Sequence, residues 1–191
     1  MQTHPRQYRI QIIGMGKMGS AIAYSLMLTK PNLHLILTEF HADHKKEAYA
    51  EYLDLKPVAI STDNFVEMAP YIDRTADAYV LTAGVPRRHS KESKAGLAEQ
   101  NIQIALKVCK DIPRRKPIFV VSNPPVQIAR ALREADWRKV IALRQCTDTL
   151  RELTFRERAT EANAFVLDNK GHTCWTPAYA CAQAIAKLKV M

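Results

Sequence analysis

The sequence predicts an α/β protein built on a doubly wound, parallel sheet, with a short helical extension toward its C-terminal end. Three observations lead there. Short apolar segments alternate with longer amphipathic ones, the order that places a crossover helix between parallel strands. The segments "YRIQII", "HLILTEF" and "DAYVLTAG" are near-continuous apolar runs, as expected where helices cover both faces of a sheet. The first of them passes straight into "GMGKMG", a glycine turn that opens a helix.

In chain order, "YRIQII" (8–13) is the first strand, and "GMGKMGSAIAYSLML" (14–28) turns into the first helix. "HLILTEF" (34–40) is the second strand, followed by the charged helix "DHKKEAYAEYLDL" (43–55). "AISTDNF" (59–65) reads as a weaker strand and "DAYVLTAG" (77–84) as a clear buried one. After a basic loop come the helix "AGLAEQNIQIALKVCKDI" (95–112), the strand that begins "KPIFVVSNPP", the helix "VQIARALREAD" (126–136) and a last short strand, "KVIAL" (139–143). Two further segments, "DTLRELTFRERATEA" and "CWTPAYACAQAIAKLK", read as helical. The division expected is a binding domain over 1–147 and a residual helical segment over 148–191. The last helix is expected to pack through Trp175, Ala178, Tyr179, Ala182, Ile185 and Ala186, which recur at helical spacing.

Bulk properties narrow the class. The 191 residues are 47% hydrophobic and 25% charged, enough for one good core. No apolar run approaches the roughly 18 residues of a membrane span, and the first residues show no secretory apolar region, so a cytoplasmic protein is expected. Cys109, Cys146, Cys174 and Cys181 lack metal or redox spacing and read as reduced, mostly buried thiols; no metal site is expected. The net charge of +9 is uneven: residues 86–158 hold 17 Lys/Arg against 8 Asp/Glu, and the rest balances at 11 against 11. Such a segment suits an anionic cofactor, a carboxylate substrate or an acidic protein partner, or it is a solvated face. Nucleic acid is a minor option, because no zinc finger or aromatic RNA-binding signature accompanies the charge.

The glycine turn gives the first chemical reading. Gly14 would permit a tight turn, Gly16 would let the backbone approach a pyrophosphate, and Gly19 would let helix and strand pack closely. The N–H groups of Lys17 and Met18 at the helix start would face the phosphates. Glu39 ends the second strand, where a carboxylate accepts ribose hydroxyls and repels a 2′-phosphate, so NAD is favoured over NADP. His41, His44, Lys45 and Lys46 close behind temper that preference.

Together with "LTAGVPR", "LAEQNIQI", "FVVSNPP" and "VIALRQCTDTLR", these motifs resemble the lactate/malate dehydrogenase family over residues 8–151. The resemblance implies a Rossmann domain for NAD, with Thr82, Ala83 and Gly84 along the cofactor. It places Asn123 near the nicotinamide ribose and the substrate carbonyl, and Asn123–Pro124 is a candidate for a cis bond.

Chemistry in that family needs a cation at the carbonyl, an arginine on the carboxylate, a histidine that moves the proton and an aspartate that orients it. The resemblance assigns Asp148 and Arg151 to two of these roles. Lys94 or Ser93 falls where the polarising arginine belongs, with Arg88 nearby. "KGHTCW" (170–175) is similar to a later family stretch that borders the substrate, which brings Thr173 to the substrate and leaves His172 as replacement proton carrier. On that alignment the segment with the usual histidine is missing, together with most of the catalytic domain.

Two functions follow from the resemblance. One is a shortened oxidoreductase that moves hydride to or from a 2-hydroxy or 2-keto acid. The other is a non-catalytic NAD-binding module serving as sensor, scaffold or subunit. Self-association into a homo-oligomer is expected in either case.

Overall fold

The computed structural model describes residues 7–86, 94–143 and 175–187. Strands β1 (Tyr8–Ile13), β2 (Leu33–Thr38), β3 (Phe65–Met68), β4 (Ala78–Leu81), β5 (Ile118–Val120) and β6 (Val140–Ala142) form one sheet. All its pairings are parallel, in the order β3-β2-β1-β4-β5-β6. That is the Rossmann order, and the chain changes direction across the sheet between β1 and β4. Register places Ile13 beside both Thr38 and Leu81, so three strands end level and bring residues 14, 39 and 82 to one edge.

The helices are α1 (Lys17–Thr29), α2 (Lys45–Ser61), α3 (Lys94–Cys109), α4 (Pro125–Glu134) and α5 (Trp175–Lys187). Side chains alternate across the strands. Ile10, Ile12, Leu33, Leu35, Leu37, Ala78, Val80 and Phe119 join a core with α1, α2 and α5. Ile13, Ile36, Tyr79, Leu81, Ile118 and Val120 join a second core with α3 and α4. The connection from β3 to β4 carries no helix; its Ala69, Ile72 and Ala76 lie in the second core.

Two expectations need correction. The third strand is Phe65–Met68, and Ala59–Ser61 belong to the last turn of α2. Helix α2 runs on through Pro57, which removes one N–H donor on an exposed side of the helix where water can serve the carbonyl. Burial of Leu55 and Ala59 holds the helix to that point. Asn64 then ends it, its N–H donating to the Ala59 carbonyl at 2.8 Å.

On α5, Ala178, Ala182 and Ile185 are buried as expected, but Trp175 and Tyr179 are 63% and 50% exposed. Ala180 and Cys181 take their place inside. Small residues on this face let α5 lie close along α1, which leaves the large rings outside. The segment 148–162 falls outside the described residues. Among the described residues no helix is long and apolar enough to cross a membrane.

Candidate functional site

The turn after β1 is built by steric exclusion. Gly14 has φ +101°, and its N–H donates to the Thr38 carbonyl at 2.8 Å. A Cβ there would lie 2.5 Å from the Ala83 nitrogen, and one on Gly19 would lie 2.0 Å from the Gly14 oxygen. Neither position tolerates a side chain. Gly16 is different: a Cβ would meet nothing within 4 Å. It caps α1 with no side-chain hydrogen bond. The partial positive charge of the helix start therefore opens onto empty space, which suits a phosphate-class anion. Lys17 is exposed on the first turn, and Met18 packs partly against the core.

Glu39 stands beside this turn, half-buried at the end of β2. Its Oε2 accepts the Met15 N–H at 3.0 Å and its Oε1 the His41 N–H at 2.8 Å. A carboxylate has about four acceptor sites, so two remain for donors from a ligand. His41, His44, Lys45 and Lys46 are exposed behind it.

Across the switch point, Thr82 holds the turn from the other side. Its hydroxyl lies 2.6 Å from the Gly14 oxygen and 2.9 Å from the Ile13 oxygen, and the N–H groups of Thr82 and Ala83 both donate to Ile13. Two residues not singled out from the sequence tie the next strand in. The Ser122 hydroxyl donates to the Ala83 oxygen at 2.7 Å. Asn101, fully buried on α3, accepts the Val85 N–H at 2.6 Å and donates to the Val85 and Asn123 oxygens at 3.1 and 2.6 Å. A buried amide on an otherwise apolar helix stripe is the sequence signal that points to Asn101, since such a group needs partners.

The structure thus brings Gly14, Gly16, Lys17, Met18, Gly19, Glu39, Thr82, Ala83, Gly84 and Asn123 to a single edge of the sheet. Asn123 is exposed there, and its bond to Pro124 is cis. Lys94 opens α3. Arg88, Asp148, Arg151, His172 and Thr173 lie outside the described residues. Among the described residues no cluster of His, Cys, Asp or Glu is arranged to hold a metal ion.

Residues 8–137 match the NAD-binding domain of lactate/malate dehydrogenase. The chain belongs to that family. An L-lactate dehydrogenase of Pseudothermotoga lettingae is 28% identical over 151 residues, covering 75% of this chain and 47% of the relative. Malate dehydrogenase 2 of Aquifex aeolicus is 31% identical over 179 residues, covering 82% and 51%. The chain spans about half the length of these curated relatives.

The fold of this lactate/malate dehydrogenase-like domain is shared with solved structures. The minor L-lactate dehydrogenase of Enterococcus mundtii superposes with TM-score 0.80 at 16% identity, over 95% of this chain and 77% of that one. A malate dehydrogenase of Archaeoglobus fulgidus in complex with NADH gives TM-score 0.76 at 18% identity, over 93% and 76%.

Proposed function

We propose that this chain binds NAD(H) along the switch-point edge and acts as an oxidoreductase on a 2-hydroxy or 2-keto acid. The observation that carries the reading is Gly16, bare of side chain, facing open space at an uncapped helix start beside a carboxylate. The amides of Gly16, Lys17 and Met18 would hold the pyrophosphate, and the free acceptor sites of Glu39 the adenosine ribose. A 2′-phosphate would meet that carboxylate, which favours NAD over NADP.

When bound, the nicotinamide supplies the hydride donor or acceptor. Asn123 would orient its ribose and the substrate carbonyl; Lys94 or Arg88 would place positive charge at that carbonyl. Arg151 and Thr173 would hold the carboxylate, while His172, oriented by Asp148, would move the proton. The binding part is 1–147, with 148–191 a segment packed on it; the core that α5 shares with α1 supports that packing. Exposed Tyr49, Leu53 and Ile60 on α2 support a homo-oligomer, and an acidic protein partner fits the basic segment.

Calorimetry and fluorescence with NADH and NADPH test the reading. NADH is expected to bind more tightly, and turnover with pyruvate or oxaloacetate is expected to disappear in Arg151→Ala. No heat with either dinucleotide defeats it. A second reading, the non-catalytic module, is favoured by the extent of the family match: it covers residues 8–137, the NAD-binding domain, and does not reach Asp148, Arg151 or His172. Tight NADH binding with no turnover on any 2-keto acid selects that reading.

A further inference from the structure

Asn101 joins three elements at one point. It sits on α3, yet all three of its hydrogen bonds go to loops that leave β4 and β5. The pattern fixes the amide's orientation. Oδ1 faces an N–H and Nδ2 faces two carbonyls, so the reverse assignment would set donor against donor and acceptor against acceptor. The fit is also tight: a Cβ on Gly84 would lie 2.9 Å from Asn101 Oδ1. Val85 and Asn123 belong to different strand ends, and among the described residues Asn101 is the side chain bonded to both.

We propose that Asn101 is a positioning residue for the nicotinamide half of the site. It sets the spacing between the Gly84–Val85 backbone and Asn123, while the adenosine half is set separately by Gly14, Glu39 and Thr82. The proposal rests on the NAD(H) reading above and assigns a division of labour within it. The two halves share β1 and β4, but Asn101 touches only the β4–β5 side.

Asn101→Asp is the sharpest probe. It keeps the shape and the acceptor to Val85 N–H, and turns the donor pair toward two carbonyls into an acceptor. Asn101→Ser is the second probe: it buries no charge and leaves a hydroxyl too short to span both strand ends. ADP reports on the adenosine half, and NADH on the whole site.

In the unaltered chain NADH should bind more tightly than ADP and show enhanced nicotinamide fluorescence. In both variants ADP affinity should stay within about twofold, while NADH affinity falls by about tenfold or more, the scale of losing paired buried hydrogen bonds. The fluorescence enhancement should fall with it. Unchanged NADH binding in the folded variants overturns the proposal, as does a parallel loss of ADP and NADH, which marks a merely structural role. If Asn101→Asp shows no unfolding transition, Asn101→Ser decides alone. Failure of the unaltered chain to bind ADP or NADH defeats the NAD(H) reading itself. ADP binding with NADH no tighter leaves that reading's phosphate turn standing and overturns only the role of Asn101.

Discussion

Strands β1 and β2 have two faces of different chemistry. Toward α1, α2 and α5 they present Ile10, Ile12, Leu33, Leu35 and Leu37, all buried. On the other face Arg9, Gln11, His34 and Thr38 alternate with Ile13 and Ile36. The difference follows from what lies above. A helix satisfies its own backbone, so the strand beneath it can be wholly apolar. The segment 69–77 crosses without a helix and brings bare peptide groups with it. Gln11 answers them, donating to the Tyr71 carbonyl and accepting the Asp73 N–H at 2.7 and 2.8 Å, with Thr38 Oγ1 as a third partner. Arg9 N–H donates to the Asp77 carboxylate and its guanidinium to Asp73 Oδ2, while the Tyr79 hydroxyl donates to the Asp73 carbonyl.

Substitutions at matched depth test this contrast. Gln11→Leu should be the most damaging, costing about 3 kcal/mol in urea unfolding, because it strands several buried polar groups at once. Ile12→Val, one residue along on the helix-covered face, should cost about 1 kcal/mol. Equal losses would erase the distinction.

Acid should find the polar face next, with a smaller effect. Arg9 donates to His34 Nδ1 at 2.8 Å, which leaves the ring proton on Nε2, 2.8 Å from Glu67. Burial, then the Arg9 charge, holds the His34 pKa below its ordinary 6.5. The unfolded chain therefore takes up this proton first, and stability is full above pH 6.5 and falls as the pH drops below it. Burial raises the Asp73 carboxyl, but bonds from Arg9 and Thr75 outweigh it and hold it below 3.8. Its contribution is present above pH 3.8 and is lost on further acidification. Melting temperatures should therefore fall in two stages, and His34→Gln should remove the first. On the helix-covered side, Trp175→Ser or Tyr179→Ser should shift stability by about 0.5 kcal/mol, since both residues are half or more exposed.

The strand edge was readable because its signals are local. Three glycines within six positions dictate a turn, and β1 falls on Tyr8–Ile13 as its apolar run indicates. The polar face was not, because Gln11 and His34 look like blemishes in apolar runs until the crossing segment, some 60 residues along for Gln11, arrives. The β-branched pattern of "AISTDNF" likewise reads as strand in isolation, and burial of Ala59 keeps its start in α2. Asn101 stands out only as an amide on an apolar helix stripe, and its role waits on partners 16 and 22 residues away.

Helix α1 shares one packed core with α2 and α5, and this has a bearing on affinity. A helix that already stands braced along its flanks loses little freedom when an anion settles at its tip. The ordering is completed during folding, so the encounter with a diphosphate can be tight without any rearrangement of the scaffold.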